Sequence, residues 1–139
     1  MNDLDAGLRD EIDLAFREAK QMLRDGDLQS AITAGEAAWA RFPEPRFDWD
    51  VSQSYVHALA TLYRDAGMYP QAIALMQSLL QSGRVESFED GPYFVMGTIY
   101  FEMGDLENAK RFLGEANRIS RGRCFRDEPV KYRDLIKKD

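Results

Sequence analysis

Three glycines constrain the fold of this chain most, because each stands in the same short pattern between two apolar stretches. In each case the glycine ends one stretch, and an alanine lies five residues further on, within the next. Helix-turn-helix repeats of roughly 34 residues recur in this way, so the pattern predicts helical hairpins stacked one after another. The glycines and their alanines are Gly26 and Ala31, Gly67 and Ala72, and Gly104 and Ala109.

The spacing of the glycines leaves room for extra residues between hairpins. Gly26 and Gly67 are 41 residues apart, and Gly67 and Gly104 are 37 apart. Residues 42–46 include two prolines, which cannot continue a helix because proline has no amide donor. Residues 84–90 are mostly polar and end before a Gly-Pro pair, and proline suits the first position of a helix. Both insertions are therefore expected between hairpins.

Size and composition predict one domain, residues 1–139, with a single core, since 45% of the residues are hydrophobic. No stretch approaches the roughly 18 to 20 apolar residues of a membrane-spanning helix, and the start of the chain lacks the basic and apolar regions of an export signal. The single Cys124 cannot form an internal disulfide, which agrees with a reducing compartment. We therefore expect a cytoplasmic protein that does not bind a membrane.

Charge is uneven along the chain. Residues 1–104 hold 8 Lys/Arg and 17 Asp/Glu, a net charge of −9, whereas residues 105–139 hold 10 and 7, a net charge of +3. An acidic body repels nucleic-acid phosphates and attracts cationic surfaces, so a basic protein is the expected partner and nucleic acid is not. Alternatively, the overall charge of −6 only keeps the domain soluble.

Apolar residues at helical spacing predict six helices and a seventh near the C-terminus. No segment alternates with a period of two residues, so no sheet is predicted. The chain is expected to be all-α: an α-solenoid of three hairpins, at about residues 6–41, 49–82 and 92–119, with a capping segment at 120–139. Asp27 is expected to cap the second helix. The six helices are predicted at about 6–25, 28–41, 49–66, 69–82, 92–103 and 106–119.

Small residues are expected where the two helices of a hairpin cross. Ala19, Ala60 and Gly97 stand at matching places in the first helices, opposite the three repeated alanines. Small residues on both sides allow the helix axes to approach to the short end of the usual range of roughly 8 to 10 Å.

The hairpins resemble the tetratricopeptide repeat (TPR), in particular that of small stand-alone bacterial proteins. The resemblance covers roughly residues 10–120 and is most specific in the third hairpin. In the first hairpin Glu18 and Gly35 stand where large apolar residues are usual, so looser packing is expected there. The third hairpin matches through Tyr93, Met96, Gly97, Tyr100, Gly104, Asp105, Leu106, Ala109, Leu113 and Ala116. The second matches through Val56, Leu59, Ala60, Tyr63, Gly67, Tyr69, Ala72, Met76 and Leu79, and the first through Ala15, Ala19, Met22, Gly26, Asp27, Leu28, Ala31, Ala38 and Pro43.

The resemblance also implies a binding surface, which in TPR proteins is the concave groove lined by the first helix of each hairpin. Phe94 and Phe101 lie on one helix face with Thr98, and aromatic side chains so placed would anchor a peptide or a helix. Alternatively, the C-terminal helix packs over these phenylalanines. The implied groove residues are Asp13, Phe16, Lys20, Leu23 and Arg24, then Ser54, His57, Thr61, Arg64 and Asp65, then Phe94, Thr98, Phe101 and Glu102.

Two functions are not expected. TPR co-chaperones grip a terminal carboxylate with basic and asparagine side chains, whereas this chain has Phe16, His57 and Phe94 where that clamp should begin. Enzyme motifs are also missing, because His57 has no paired nucleophile and Cys124 has no histidine nearby in sequence. Since no calcium loop, phosphate loop or zinc pattern is present, we expect no catalysis, no cofactor and no bound metal.

The C-terminal segment predicts a short amphipathic helix through Val130, Tyr132, Leu135 and Ile136. It is expected to cover the end of the stack near Phe112, or alternatively to dock a partner. The chain as a whole is predicted to be a protein-protein interaction module that binds a protein or peptide in the concave groove.

The C-terminal segment also resembles small bacterial TPR proteins, some of which are immunity proteins. A more specific hypothesis, based on the acidic body, the small size and the absence of other domains, is that this chain holds a basic partner such as a toxin domain in its groove and neutralises it. The alternative is a self-associating scaffold, a homodimer in which the looser first hairpin packs against a second copy.

Overall fold

The computed structural model describes residues 2–137, and within this range the regular structure is all helical, with no strand. An isolated bridge pairs Asn2 with Trp49. The predicted all-α fold is therefore confirmed. Residues 138 and 139, the end of the predicted capping segment, lie outside the described residues, as does residue 1. The helices are α1 (Ala6–Arg24), α2 (Leu28–Ala40), α3 (Ser52–Asp65), α4 (Tyr69–Gln81), α5 (Gly91–Met103), α6 (Leu106–Ser120) and α7 (Val130–Lys137), with short 3-10 helices at Arg46–Asp48 and Arg123–Phe125.

Consecutive helices pack in adjacent pairs, α1 with α2, α3 with α4, and α5 with α6. The chain divides into two compact units, one up to Arg84 and one from Val85. In the first unit, which holds two hairpins, both α1 and α2 contact α3. In the second unit, which holds the third hairpin, α7 contacts α6. The arrangement of the whole chain as one domain stays a prediction.

The repeated glycines form the turns inside the hairpins. Gly104 follows α5 with a φ of 90°, a left-handed conformation that other residues adopt only at a cost because of their Cβ atom. Gly26 and Gly67 adopt the same conformation, with φ of 86° and 77°. The side chain of Asp27 then accepts a hydrogen bond from the backbone N–H of Ser30 at 3.3 Å, which caps α2 as predicted.

Small residues let the helices of each hairpin approach closely. The three repeated alanines are fully buried, as are Ala19 and Ala60. In the third hairpin, a Cβ atom added to Gly97 would lie 2.6 Å from Cγ of Leu113 and 3.0 Å from its backbone nitrogen. Since non-bonded carbon atoms normally approach to about 3.5 to 4.0 Å, α5 and α6 cross this closely only because residue 97 has no side chain.

At Gly35 the first hairpin is closely packed, in contrast to the looser packing expected there. Glu18 is exposed to solvent, so it takes no place in the core. Gly35 is buried, and Cδ1 atoms of Leu62 and Leu59 would lie only 2.8 and 3.1 Å from an added Cβ. The second hairpin therefore supplies the apolar side chains that position 35 lacks.

The helix α3 begins three residues later than predicted, at Ser52, because the residues before it pair with the N-terminal segment. The N–H of Asn2 donates to the carbonyl of Asp48 at 3.1 Å. The N–H of Asp50 in turn donates to the carbonyl of Asn2 at 2.8 Å. Trp49 between them has an extended backbone, which delays the first helical turn.

Candidate functional site

Phe16, a predicted groove residue of α1, lies in the core of the first unit. Only 3% of it is exposed, and its ring stacks on that of Tyr55 of α3, with 5.3 Å between the centroids. The Tyr55 hydroxyl donates to the carboxylate of Asp13 at 2.9 Å. Burial and this carboxylate together raise the pKa of Tyr55 to about 12, so the phenol remains a hydrogen-bond donor at neutral pH. These side chains join α1 to α3, and Phe16 is not available to a partner in this conformation.

The other predicted residues of α1 and α3 form a polar surface with both signs of charge. The guanidinium of Arg64 donates to the carboxylate of Asp65 at 2.8 Å, and that of Arg24 donates to the side-chain oxygen of Gln21 at 2.7 Å. Exposed contacts of this kind contribute little to folding stability. Lys20, Arg24, Ser54 and Asp65 are exposed, whereas Asp13, Leu23, His57, Thr61 and Arg64 are half-buried.

His57 contributes no charge to this surface at neutral pH. Its Nε2 atom is buried and has no hydrogen-bond partner within the described part of the chain. Burial lowers the pKa of the imidazole to about 4, because the charged form loses its hydration. At neutral pH the imidazole is therefore uncharged.

The predicted residues of the third hairpin lie on α5 and are largely covered. Thr98 is fully buried, and its hydroxyl donates to the carbonyl of Val95 at 2.7 Å. Phe94 is 8% exposed, while Phe101 and Glu102 are half-buried. Thr98 and Phe94 therefore belong to the core rather than to an open surface.

The C-terminal helix α7 covers the two phenylalanines, which was the alternative considered from the sequence. The ring of Tyr132 meets Phe94 and Phe101 edge to face, at centroid distances of 5.9 and 5.2 Å, a geometry that aromatic pairs favour. The Tyr132 hydroxyl donates to Glu102 Oε2 at 2.8 Å. We call the surface formed by Phe94, Phe101 and Glu102 the tyrosine site.

Lys131, the residue before the buried tyrosine, completes these contacts. Its Nζ atom lies 2.9 Å from Glu102 Oε2 and 5.6 Å from the centroid of the Phe101 ring, within the range of a cation-π interaction. Lys131 could not be predicted as a site residue from the sequence, because its role depends on where α7 lies against α5. The adjacent Lys-Tyr pair in an otherwise amphipathic helix was the available signal.

The thiol of Cys124 lies between α6 and α7, in the second unit. Burial raises the pKa of the Cys124 thiol, which keeps it protonated, and its backbone N–H donates to the hydroxyl of Ser120 at 3.0 Å. Between residues 2 and 137, no three His, Cys, Asp or Glu side chains are grouped as metal ligands. No helix in the same range is long and apolar enough to cross a membrane.

A cavity of about 470 Å³ in the first unit was not anticipated from the sequence. The proline-containing loop lies over one side of it, with Trp39 of α2 and Leu75 of α4 among the apolar walls. The guanidinium of Arg84 pairs with Asp48 at 2.5 Å at its polar side. Because α2 and α4 are second helices of their hairpins, this cavity is separate from the surface of α1 and α3.

Comparison with known proteins identifies the fold but not a family. No protein-family model matches the chain, and no curated protein matches it in sequence. The fold is similar to that of PcrH from Pseudomonas aeruginosa, with a TM-score of 0.63 and 14% sequence identity. The match covers 99% of this chain and 95% of PcrH. The chain therefore has a TPR-like helical repeat fold.

Proposed function

We propose that the chain is a protein-binding module that holds a protein or peptide partner on the first helices of its hairpins and catalyses no reaction. The TPR-like fold carries this proposal, because proteins built from stacked helical hairpins present an extended binding surface. In the first unit, α1 contacts α3, so their exposed polar side chains lie on neighbouring helices.

The partner that we propose is a basic protein, such as a toxin domain that the chain neutralises in the manner of a bacterial immunity protein. Residues 1–84 hold 8 Lys/Arg and 13 Asp/Glu, a net charge of −5, so the first unit attracts cationic surfaces. Such complementarity accelerates association and disfavours acidic partners. The same charge disfavours nucleic acid, and we expect binding to take place in the cytoplasm, away from membranes.

Photocrosslinking in the native cell tests this proposal. A photoreactive amino acid replaces Ser54, which is exposed on α3, or Gln77, which is exposed on α4 and serves as the matched control. We expect a protein to be crosslinked through position 54 and not through position 77, and we expect this protein to have a high isoelectric point. Its binding should weaken with added salt, because the Debye length shortens from about 10 Å at 0.1 M to about 3 Å at 1 M. An acidic partner, or crosslinking only through position 77, would contradict the proposal.

A growth assay tests the immunity role separately. Expression of the crosslinked partner alone is expected to inhibit growth, and co-expression of this chain is expected to restore it. If the partner is harmless, the protein-binding function stands and the immunity role is wrong.

The packing at Gly35 does not support the reason for which self-association was predicted. The homodimer was predicted because the first hairpin was expected to be loose, whereas Leu59 and Leu62 of the same chain occupy the space beside Gly35. The oligomeric state stays a prediction, which light scattering over a range of concentrations would test.

A further inference from the structure

We propose that α7 is a displaceable occupant of the tyrosine site, and that this site takes an amphipathic helix of a protein partner in which a lysine is followed by a tyrosine. The proposal rests on the proposed function, since it specifies what a protein-binding module would hold on its third hairpin. It concerns only the second unit and does not require the first.

The helix α7 is short and has a single fully buried side chain. It has eight residues, Val130–Lys137, of which Tyr132 is buried and Leu135 and Ile136 are partly buried against the same apolar cluster, whereas Val130 is 59% exposed. Isolated helices shorter than about 12 to 15 residues are marginally stable in water, so α7 depends on its docking, in which Tyr132 is the most buried contact. Local opening of such a segment requires less free energy than unfolding of the whole domain.

The connection from α6 to α7 also favours release. Arg121 and Asp127 have φ of 54° and 62°, in the left-handed region that non-glycine residues adopt only at an energetic cost. Asp127 lies between the 3-10 helix Arg123–Phe125 and the start of α7. If α7 undocks, the backbone of Asp127 can leave the left-handed conformation.

The contacts of α7 have the chemistry of ligand recognition. A tyrosine ring lies edge to face against two phenylalanines, its hydroxyl donates to Glu102, and the ammonium of Lys131 lies next to the same carboxylate. Tyrosine is enriched at protein interfaces because it combines a large apolar ring with a hydrogen-bond donor. A partner helix with the same Lys-Tyr pair would satisfy every one of these groups, and its positive charge would suit the carboxylate.

A cavity lies beside α7 and borders the tyrosine site at Phe101. The cavity has a volume of about 280 Å³ and is bordered by Phe101, Leu106 and Leu135, with Lys131 and Asp134 at its edge. Leu106 is 47% exposed. Since Leu135 lies three positions after Tyr132, a partner helix with a larger apolar residue at that position would bury more surface than α7 does.

A peptide-binding experiment tests the proposal on the full-length chain. The probe is a fluorescent peptide with the sequence of residues 127–137, and binding is measured by fluorescence anisotropy. We expect Tyr132→Ala to bind the peptide at least tenfold more tightly than the wild type, where α7 competes at high effective concentration. Val130→Ala, which changes an exposed residue of α7, is the matched control and should behave as the wild type.

Changes in the peptide identify which groups the site recognises. Replacement of its tyrosine by phenylalanine should weaken binding about tenfold, because the bond to the Glu102 carboxylate is lost. Replacement of the leucine three positions later by tryptophan should strengthen binding. In a protein that carries both Tyr132→Ala and Glu102→Gln, the affinity for the peptide should depend little on whether its lysine is present.

Several results would overturn the proposal. One is a folded Tyr132→Ala chain that does not bind the peptide. Another is that the wild type and Tyr132→Ala bind the peptide with equal affinity. If Tyr132→Ala does not fold, hydrogen exchange of the wild type decides: we expect α7 amides to exchange at least 100-fold faster than those of α6, and equal protection would show that α7 is an integral part of the domain. A wild-type dimer formed by exchange of α7 would make the occupant a second copy instead.

Failure of this proposal differs from failure of the proposed function. The peptide assay needs no cellular partner, so a positive result stands even if crosslinking in the cell recovers nothing. Conversely, a partner crosslinked at position 54 supports the proposed function even if the peptide does not bind.

Discussion

Replacing Gly97 by alanine tests how closely the two helices of the third hairpin cross. The added Cβ would lie 2.6 Å from Cγ and 2.7 Å from Cδ2 of Leu113, and 3.0 Å from its backbone nitrogen. Normal contact distances are about 3.5 to 4.0 Å, so the atoms must separate by about 1 Å. Because one of the three is a backbone atom, rotation of the leucine alone cannot relieve the overlap.

The expected magnitude is the difference between two opposing effects. Alanine favours a helix interior over glycine by about 1 kcal/mol. Overpacking of a core costs typically about 1 to 3 kcal/mol, and the backbone contact places this case at or above the upper end. We therefore expect Gly97→Ala to lower the free energy of unfolding by about 2 kcal/mol.

The matched control is Gly114→Ala. Gly114 lies in α6, and a Cβ added there meets nothing within 4 Å. This variant should be more stable than the wild type by about 0.5 to 1 kcal/mol. Urea unfolding followed by far-UV circular dichroism measures both variants, whereas the fluorescence of Trp39 and Trp49 reports only the first unit.

A double-variant cycle checks the cause of the destabilisation. Leu113→Ala alone should destabilise by about 2 to 5 kcal/mol, as expected for truncation of a fully buried leucine. Combined with Gly97→Ala it should destabilise by clearly less than the sum, because the two closest of the three contacts, those to Cγ and Cδ2, are absent once the leucine is shortened. If Gly97→Ala is as stable as Gly114→Ala, or if the two changes are additive, the reasoning on the close crossing is refuted.

Three further predictions concern the first unit. Gly35→Ala should change the free energy of unfolding by less than about 1 kcal/mol, because the contacting atoms are the flexible ends of two leucines. Urea unfolding followed by tryptophan fluorescence measures this change. A destabilisation as large as that of Gly97→Ala would contradict the prediction. Asp27→Ala should destabilise by about 1 kcal/mol through loss of the helix cap, whereas Asp27→Asn should be nearly neutral in the same assay. His57 has a folded-state pKa of about 4, below its value of about 6.5 in the unfolded chain, so the unfolded chain binds the proton first as pH falls. The stability due to neutral His57 is thus present above pH 6.5 and lost between 6.5 and 4, and the wild type should lose up to roughly 3 kcal/mol more than His57→Leu over that range; parallel losses in the two proteins would refute the assignment.

The hairpins could be predicted from the sequence because short-range physics determines them. The φ of 90° at Gly104 and the capping of α2 by Asp27 depend on residues within one turn of the chain, and both are visible in the local pattern. The start of α3 could not be predicted, because it depends on the pairing of Trp49 with Asn2 across many intervening residues. The close packing at Gly35 could not be predicted either, because it depends on Leu59 and Leu62, which are distant in sequence.

The candidate site was predicted only in part, for a related reason. Helical spacing places Phe16 on the expected face of α1, but its burial follows from stacking on Tyr55 of α3. The burial of Phe94 follows from its contact with Tyr132 of α7, and neither partner can be chosen without knowing how the elements pack. Exposed residues such as Lys20 and Ser54 remain on the surface because nothing in the first unit packs over them.

The two proposed binding surfaces lead to different expectations for affinity. The surface of α1 and α3 is polar, and polar contacts at the rim of an interface mainly affect the rate and specificity of association. Aromatic anchors supply most of the binding energy in protein interfaces, and those predicted on α5 are covered by α7. A partner that binds there therefore has a lower apparent affinity when α7 is open in only a small fraction of the chains. The apparent Kd equals the intrinsic Kd divided by that fraction. It follows that changes that weaken the docking of α7, such as Tyr132→Ala, should raise the affinity for that partner although the partner never touches α7, whereas binding to the first unit should not respond to them.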